Sequence, residues 1–343
     1  MEILENPWRG HGLPDTVMNG APAPSVNAGA PEALLARCPA AAATPLHRVT
    51  ELGPELFVKD ERARMGLGSF KALGAAYVIA HDAACAGLDD PATALAGRTY
   101  VTASAGNHGL SVAAGARLFG ARAVVYLSET VPDGFAARLR DKGAEVMREG
   151  AEYEASMAAA ADAADANGWT LLSDSSWPGY FDLPHRLMEG YLAMAAEVAG
   201  QMPAPPTHIF LQAGVGGLAG ACAAYFREVW GDAPRVTVVE PEAAPALFAS
   251  IRAGRPVPTQ GPVSTMGRLD CKAPSLIALR GLARDADAFL TISDAAAGAI
   301  LGDLAARDLA TTESGAAGIA ALGLMGLGVE DRALCILSEA ADE

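Results

Sequence analysis

Residues 208–230 read HIFLQAGVGGLAGACAAYFREVW: an apolar run, a glycine-rich turn and an alanine-rich helical pattern in direct succession. Residues 208–211 are short and apolar, as in a buried strand, and residues 217–230 follow the spacing of a helix. A strand joined to a helix in this way is the repeating unit of α/β proteins with parallel sheets. The segment therefore predicts an α/β fold.

The same alternation of strand and helix patterns continues along the chain. It predicts two open, twisted, mainly parallel sheets flanked by helices, because nine strands suit two sheets better than one. Residues 1–45 are rich in Pro, Gly, Ala and Asn and predict an irregular arm. The predicted strands are 56–59, 100–102, 123–127, 145–147, 170–172, 208–211, 236–239, 289–292 and 334–337. The predicted helices are 70–86, 107–119, 133–142, 152–167, 182–199, 217–230, 243–253, 294–307 and 314–326.

Composition excludes several classes of partner. The 343 residues carry a formal net charge of −15, which disfavours nucleic acid and anionic membranes. The five cysteines are scattered without a C-x-x-C pair, as expected in a reducing compartment and without a thiolate metal site. The start, MEILENPWRGHG, lacks the features of a signal peptide, and no apolar stretch is long enough to cross a membrane. We expect a cytoplasmic protein that acts on a small molecule.

The turn at residues 212–220, QAGVGGLAG, is a candidate phosphate site. Glycines let backbone N–H groups approach an anion, and the start of the following helix favours negative charge. Gly214, Gly216 and Ala219 also match the dinucleotide pattern G-x-G-x-x-[GA], with Glu240 as a candidate ribose-binding acid. A glycine turn required only for tight packing is the structural alternative.

A lone lysine, Lys71, follows a second glycine-rich turn in GLGSFKALG, residues 66–74. Placed in the first turn of a helix, its ammonium would face the positive end of the helix dipole, which predicts a lowered pKa. Such a lysine is a candidate Schiff-base nucleophile. The alternative is an ordinary surface lysine whose charged end reaches solvent.

Residues 102–109, TASAGNHG, form a third turn between a predicted strand and a predicted helix. Its small residues and exposed amides suit a carboxylate, and Asn107 adds a neutral donor and acceptor. Ordinary N-capping by Ser104 and Asn107 is the structural alternative, and His108 receives no role. Three lesser candidates also lie at strand ends or helix starts, each with capping as the alternative: Asp174, Glu313 and Ser338.

The motifs SFKALGAAY, SAGNHG, QAGVGGLAG and the ESGAAG-to-ILSE tail, in this order, resemble the fold type II family of pyridoxal-phosphate enzymes. The resemblance spans about residues 40–340 and includes threonine dehydratases and the tryptophan synthase β-like group. Within that family the chain is most similar to the diaminopropionate ammonia-lyases, through VKDERARMGLGSFKALG, SDSSWPGY, VVEPEAA and TMGRLDC. The resemblance implies a large cofactor-binding domain of residues 46–92 and 176–343. Residues 1–45 would form an N-terminal arm and the start of that domain. A smaller inserted domain would comprise residues 93–175.

The resemblance also implies roles for individual residues. Lys71 would form the Schiff base with pyridoxal 5′-phosphate and act as a catalytic base, Asp174 would be the second catalytic residue, and Phe70 would pack on the cofactor ring. Asn107 would bind the cofactor's 3′ oxygen, and Ser338 its pyridine nitrogen. The phosphate would bind Gly214, Val215, Gly216 and Gly217. The substrate carboxylate would bind Ser104, Ala105, Gly106 and Asn107.

Three positions depart from the family pattern. Ala105 replaces an aspartate that serves the D-isomer in diaminopropionate ammonia-lyases and a serine in serine racemases, so we expect activity on L-amino acids. Ala246 replaces an acid of the serine racemase metal site, and no metal is expected. Arg268 stands where the lyases have a small or neutral residue. If Arg268 lines the pocket, the substrate carries a second anionic group, and a surface position is the alternative.

The implied activity is β-elimination of a β-amino or β-hydroxy group from an L-amino acid, which yields a 2-oxo acid and ammonia. The alternatives are a serine/threonine or hydroxyaspartate-type dehydratase, then a β-replacement synthase, then an NAD-dependent dehydrogenase that uses the Gly214 turn. The family also implies a homodimer.

Overall fold

The computed structural model describes residues 1–49, 54–87 and 90–341. Within these ranges the chain forms an α/β structure with two sheets. The strands are β1 Glu2–Glu5, β2 Leu46–Val49, β3 Glu55–Asp60, β4 Thr99–Ala103, β5 Arg122–Leu127, β6 Glu145–Arg148, β7 Thr170–Leu171, β8 His208–Gln212, β9 Arg235–Pro241, β10 Ala288–Ile292 and β11 Arg332–Leu337.

Helices flank both sheets. The first seven are α1 Asp15–Met18, α2 Gly29–Leu35, α3 Ala75–Ala86, α4 Asn107–Leu118, α5 Asp133–Asp141, α6 Tyr153–Asn167 and α7 Asp182–Gly190. The others are α8 Leu192–Gln201, α9 Gly217–Trp230, α10 Ala246–Ala253, α11 Leu276–Asp285, α12 Asp294–Ala299, α13 Leu301–Ala305 and α14 Glu313–Leu324. Short 3₁₀ turns cover Arg64–Gly66, Phe70–Leu73 and Pro91–Thr93.

The larger sheet has seven strands in the order β1-β10-β9-β8-β11-β3-β2. Its five central strands are parallel, and both edge strands, β1 and β2, run antiparallel to their neighbours. The central strands are almost wholly buried, since α9 and α14 pack against them, and α11 packs on α9. Apolar side chains on both faces of a parallel sheet explain the short apolar runs of the sequence.

The smaller sheet has four parallel strands in the order β6-β5-β4-β7. Its strands lie between residues 99 and 171, inside the range 93–175 that the family resemblance assigns to a small domain. The domain limits themselves stay a prediction. In parallel α/β sheets ligands bind beyond the carboxyl ends of the strands, so the residues that follow β3, β4, β7, β8 and β11 mark the functional edge.

The prediction of two mainly parallel sheets flanked by helices is confirmed, and each of the nine predicted strands is present. The prediction of an irregular arm over residues 1–45 is wrong in part, because β1 adds to the edge of the large sheet. The sequence patterns also missed β2 and α11.

Four predicted helices have different limits. The helix expected over 294–307 is divided at Ile300, and the helix expected over 243–253 begins at Ala246. The helix expected from residue 70 begins at Ala75, and a 3₁₀ turn precedes it. Gly74 separates the two, and a Cβ there would lie 2.7 Å from the ring of Tyr191. The helix expected over 182–199 is divided at Tyr191, where a Cβ on Gly190 would lie 2.1 Å from the backbone oxygen of Leu73. Close packing of these backbones explains both breaks. No helix in the described ranges is long and apolar enough to cross a membrane.

Candidate active site

Lys71 and Asp174 meet between the two sheets. Lys71 Nζ donates to Asp174 Oδ2 at 2.5 Å, and the two side chains are 22% and 18% exposed. Burial opposes the charge on Lys71, but the Asp174 carboxylate outweighs it and raises the pKa of the lysine. Burial likewise opposes the charge on Asp174, but Lys71 and His108 lower its pKa well below the usual range. The structure thus places both predicted catalytic residues in one ion pair.

The turn that carries Lys71 is held by the end of β11. Phe70 N donates to Ser338 O at 3.1 Å, and Ser69 forms an antiparallel bridge with Glu339. The lysine lies in the 3₁₀ turn and not at the start of an α-helix. The expectation that a helix dipole lowers its pKa is therefore wrong, because the neighbouring carboxylate determines the direction of the shift.

Asp174 lies on a loop after β7 that side chains hold in place. The Tyr180 hydroxyl donates to Leu171 O at 2.8 Å and accepts from Ser173 N at 3.1 Å. The Trp177 ring stacks on Tyr180 with centroids 4.3 Å apart. These contacts fix the backbone on both sides of Asp174, so the segment SDSSWPGY positions the carboxylate.

The glycine-rich turn lies between β8 and α9, as predicted. Gly216 has φ +97°, a left-handed conformation, and a Cβ there would lie 3.0 Å from both Ala278 and Leu247. Within the described ranges no hydrogen bond engages the N–H groups of Gly214, Gly216 and Gly217. Free amides at a helix start are suited to an anion such as a phosphate.

The glycine-rich turn is close to the lysine pocket. A Cβ on Gly217 would lie 3.6 Å from the Tyr191 ring and 3.9 Å from the Asp174 backbone oxygen. A Cβ on Gly214 would lie 2.9 Å from Cys271 Sγ, and Val215 O accepts from Ser275 N at 3.0 Å. Burial raises the pKa of the Cys271 thiol to about 12, so it is neutral. Cys271 therefore lines the site as a neutral thiol and Tyr191 as an aromatic ring, although neither was predicted.

The turn after β4 keeps some amides free. The Ser104 hydroxyl accepts from Gly106 N at 3.3 Å and from Gly109 N at 3.0 Å, so it stabilises the start of α4. In the described part of the chain, the N–H groups of Ala105 and Asn107 have no hydrogen-bond partner. Ala105 is exposed and Gly106 is half-buried. Ser104 therefore caps the helix, as the structural alternative predicted, while the free N–H groups of Ala105 and Asn107 can bind a carboxylate.

Asn107 contacts a residue that sequence reasoning missed. Its Nδ2 donates to Glu339 Oε2 at 2.7 Å, and Arg268 Nε lies 3.2 Å from the same oxygen. Glu339 is nearly buried and also accepts from the Thr312 hydroxyl. The position of Glu339, one residue beyond Ser338, was the signal that could have identified it. An acidic residue in the acidic segment 338–343, however, suggests a solvent-exposed side chain. Arg268 thus faces the site and is 29% exposed.

Three further candidates have structural roles. Glu240 accepts from Leu247 N at 2.8 Å and Phe248 N at 2.7 Å, so it caps α10. It is fully buried there, and the suggestion that it binds a ribose is wrong. His108 Nε2 contacts Leu172 O at 2.8 Å, which ties the start of α4 to the segment before Asp174. Glu313 is the first residue of α14, where Thr312 is the capping residue.

The residues present fit pyridoxal phosphate. Lys71 supplies a primary amine, the glycine-rich turn supplies free N–H groups for a phosphate, and the Phe70 ring lies 5.2 Å from Lys71 Nζ. Ser338, 4% exposed, presents a hydroxyl that makes no hydrogen bond to a described residue. No group of three His, Cys, Asp or Glu side chains in the described ranges is arranged to hold a metal. This fold and this site define the class of fold type II pyridoxal-phosphate enzymes.

Comparison with known proteins identifies the family. The model of the pyridoxal-phosphate dependent enzymes matches residues 38–339, and the chain belongs to this family. The diaminopropionate ammonia-lyase of Salmonella typhimurium is 33% identical over 284 residues, which cover 75% of this chain and 70% of that protein. The Escherichia coli enzyme is 31% identical over 287 residues, which cover 78% and 72%.

Solved structures agree with this assignment. The diaminopropionate ammonia-lyase from Escherichia coli in complex with D-serine has a TM-score of 0.88 at 27% identity and covers 99% of this chain and 93% of its own. The same enzyme in complex with an aminoacrylate-PLP azomethine reaction intermediate has a TM-score of 0.85 at 27% identity, with the same coverage. The processed threonine deaminase isoform 2 from Solanum lycopersicum shares the fold, with a TM-score of 0.77 at 19% identity.

Proposed function

We propose that the protein catalyses pyridoxal-phosphate-dependent β-elimination from an L-amino acid, as an ammonia-lyase similar to the diaminopropionate ammonia-lyases. The products are a 2-oxo acid and ammonia. The observation that carries the proposal is the ion pair of Lys71 and Asp174, at 2.5 Å, beside a turn with free N–H groups. When bound, the cofactor stabilises the negative charge that forms at Cα after the proton leaves.

Lys71 would hold the cofactor through Nζ and, once displaced by the substrate amine, would take the Cα proton. It lies beside the large sheet, on a turn held by Ser338, and the space between this turn and the turn of residues 104–107 is the cleft of the site. Ala105, on the opposite turn, has no proton-accepting group. Lys71 is therefore the base for one face of Cα, which is the basis for the proposed preference for L-isomers.

Asp174 would select the leaving group. Its half-buried carboxylate has Lys71 as its ion-pair partner, and Nζ would leave this pairing when it holds the cofactor. A cationic β-ammonium group of the substrate would restore the pairing and would be held for departure as ammonia. A β-hydroxyl group supplies no positive charge, so the site favours β-amino substrates.

The other residues would hold the cofactor and the substrate. Asn107 would bind the 3′ oxygen, Ser338 the pyridine nitrogen, and the Phe70 ring one face of the cofactor. The phosphate would bind Gly214, Val215, Gly216 and Gly217. The substrate carboxylate would bind the turn formed by Ser104, Ala105, Gly106 and Asn107, whose free amides support this role.

The role of Arg268 in the substrate pocket remains a hypothesis. Its Nε lies 3.2 Å from Glu339 Oε2, so its positive charge already has an anionic partner beside the site. A second carboxylate on the substrate would compete with Glu339 for this arginine. We therefore favour substrates without a second acidic group.

A panel of L-2,3-diaminopropionate, L-serine, L-threonine and L-3-hydroxyaspartate tests the proposal. We expect release of 2-oxo acid and ammonia, with the highest kcat/KM for the β-amino substrate. Rapid turnover of hydroxyaspartate instead would support the role of Arg268 in binding a second anion. Absence of 2-oxo acid from every member, with the cofactor bound, would reject β-elimination.

The same assay separates the alternatives. A serine/threonine dehydratase would prefer the hydroxy amino acids, and a β-replacement synthase would release 2-oxo acid only slowly without an added nucleophile. The NAD-dependent dehydrogenase loses its support, because Glu240 caps α10 and the chain belongs to the pyridoxal-phosphate family.

We also propose a homodimer in the cytoplasm. The family resemblance supports the dimer, and the scattered free cysteines suit a reducing compartment. Light scattering of the cofactor-loaded protein gives the mass directly, and a monomer at micromolar concentration would contradict the dimer.

A further inference from the structure

The carboxylate of Glu339 joins two sides of the cleft beside Lys71. Its side chain is 4% exposed, and Oε2 accepts from Asn107 Nδ2 at 2.7 Å and lies 3.2 Å from Arg268 Nε. Oε1 accepts from the Thr312 hydroxyl. A buried carboxylate is costly unless donors surround it, and these donors meet both of its oxygens.

The backbone of Glu339 is anchored to the turn of Lys71. Ser69 pairs with Glu339 as an antiparallel bridge, and Ala340 N donates to Gly68 O at 2.9 Å. Thr311 Oγ1 donates to the backbone oxygen of Glu339 at 2.5 Å. The main chain therefore sets the position of this carboxylate relative to the lysine.

The Asn107 contact crosses between the sheets and fixes the orientation of an amide. Asn107 begins α4 beside the four-stranded sheet, whereas Glu339 follows β11 of the large sheet. Glu339 accepts from all its donors, so it must face Nδ2 of Asn107 and not Oδ1. The second N–H of the amide and its oxygen are then held in one orientation.

This contact is independent of the lysine. The other polar contact described across the cleft, Lys71 to Asp174, changes when Nζ is engaged by the cofactor. The bond from Asn107 to Glu339 does not involve Nζ, so engagement of Nζ does not itself break this bond. Glu339 is therefore placed to hold Asn107 throughout the reaction without touching the reacting atoms.

We propose that Glu339 is a positioning residue that orients Asn107 across the cleft toward the 3′ oxygen of bound pyridoxal phosphate. The inference rests on the proposed function, since it requires that Asn107 meets the cofactor. The inference makes Glu339, the residue after Ser338, part of the site through its effect on Asn107.

The test is Glu339→Gln in the full chain loaded with pyridoxal phosphate, read by its visible absorbance. Glutamine keeps the size of the side chain but turns an N–H donor toward groups that also donate. We expect the position or the pH titration of the visible band to change, with a shift of at least about half a pH unit. Cofactor affinity should fall about tenfold.

Two further variants separate positioning from loss of fold. The double variant Asn107→Ala with Glu339→Gln should have the spectrum of Asn107→Ala alone, because Glu339 acts through that amide. Glu240→Gln is the matched control, since Glu240 is an equally buried carboxylate that caps α10. This control should keep the wild-type band even where its stability falls.

Each outcome has a definite meaning. If Glu339→Gln does not fold, Glu339→Asp, which keeps the charge but is one methylene shorter, should show a smaller change in the same direction. A wild-type spectrum and titration in the variant that folds would overturn the inference alone. A wild-type chain that binds no pyridoxal phosphate would overturn the proposed function and this inference with it.

Discussion

Lys71 Nζ and Asp174 Oδ2 lie 2.5 Å apart, although the two residues are 103 positions apart in the chain. Lys71 belongs to a turn beside the large sheet, and Asp174 to the loop after β7 of the small one. The pair therefore forms only when the two sheets face each other. The contact of the nucleophile Lys71 with Asp174 therefore depends on how the two sheets are arranged.

Lys71→Ala should abolish the visible absorbance of the cofactor-loaded protein and stop turnover. The reason is that Nζ is the primary amine in the site that can join the cofactor. Absorbance spectra and 2-oxo acid release measure the two effects. Lys142→Ala, at the C-cap of α5, is the control and should retain both. A persistent visible band in Lys71→Ala would show that another residue holds the cofactor.

Asp174→Asn should have opposite effects on cofactor attachment and on turnover. The carboxylate raises the pKa of Lys71 over the opposing effect of burial, so its removal lowers that pKa and leaves more neutral amine near pH 7. Attachment of pyridoxal phosphate, followed by stopped-flow absorbance, should therefore become faster and less dependent on pH. Turnover should fall by about 100-fold or more, because the leaving group loses its partner. Slower attachment with unchanged pH dependence would refute this assignment.

Glu240 should make stability depend on pH. Burial raises the pKa of its carboxyl from 4.5 to about 8, although two backbone N–H groups oppose the shift. Between those values the folded chain holds the proton and the unfolded chain releases it, so stability falls as pH rises from 4.5 to 8. The slope reaches up to about 1.4 kcal/mol per pH unit.

Glu240→Gln removes this titration. The unfolding free energy of the wild type minus that of the variant should therefore fall as pH rises. Urea unfolding at acidic, neutral and mildly alkaline pH measures that difference. Glutamine also loses one of two accepted hydrogen bonds, which costs about 1–3 kcal/mol at every pH. Parallel stability curves for the two proteins would mean that Glu240 is ionised throughout.

The sequence predicted the strand-end residues of the site better than their contacts. Asp174 and Ser338 were identified because parallel α/β sheets collect function at these ends, and Lys71 because it follows a glycine-rich turn. The ion pair of Lys71 was not predicted, since its partner comes from the other sheet. Glu339 was missed for a related reason: its donors lie on α4 and on the segments around residues 268 and 312, and no local pattern shows that they meet.

The missed elements have local causes. Strands β1 and β2 read EILE and LHRV, which are short and rich in charged or polar residues, as protected edge strands are. Helix α11, LIALRGLARD, is mostly buried and follows Pro274 and Ser275. A serine directly before an apolar pattern is a signal for a helix start, so this helix could have been predicted. Its apolar run was taken for neither a strand nor a helix, although Arg280 and Arg284, four residues apart, mark the polar side of a helical pattern.

Ala105→Asp should add activity on D-amino acids. Ala105 is exposed on the turn after β4, across the cleft from Lys71, and its side chain neither accepts nor donates a proton. A carboxylate there would supply a base for the face of Cα that Lys71 does not reach, as the resemblance to the diaminopropionate ammonia-lyases implies. Release of 2-oxo acid from D-2,3-diaminopropionate should rise at least about tenfold, while the L-isomer keeps most of its rate. Ala105→Asn, of the same size but without a base, should leave the D-isomer rate at the wild-type level. Rapid D-isomer turnover by the wild-type chain would instead show that a base other than residue 105 serves this face.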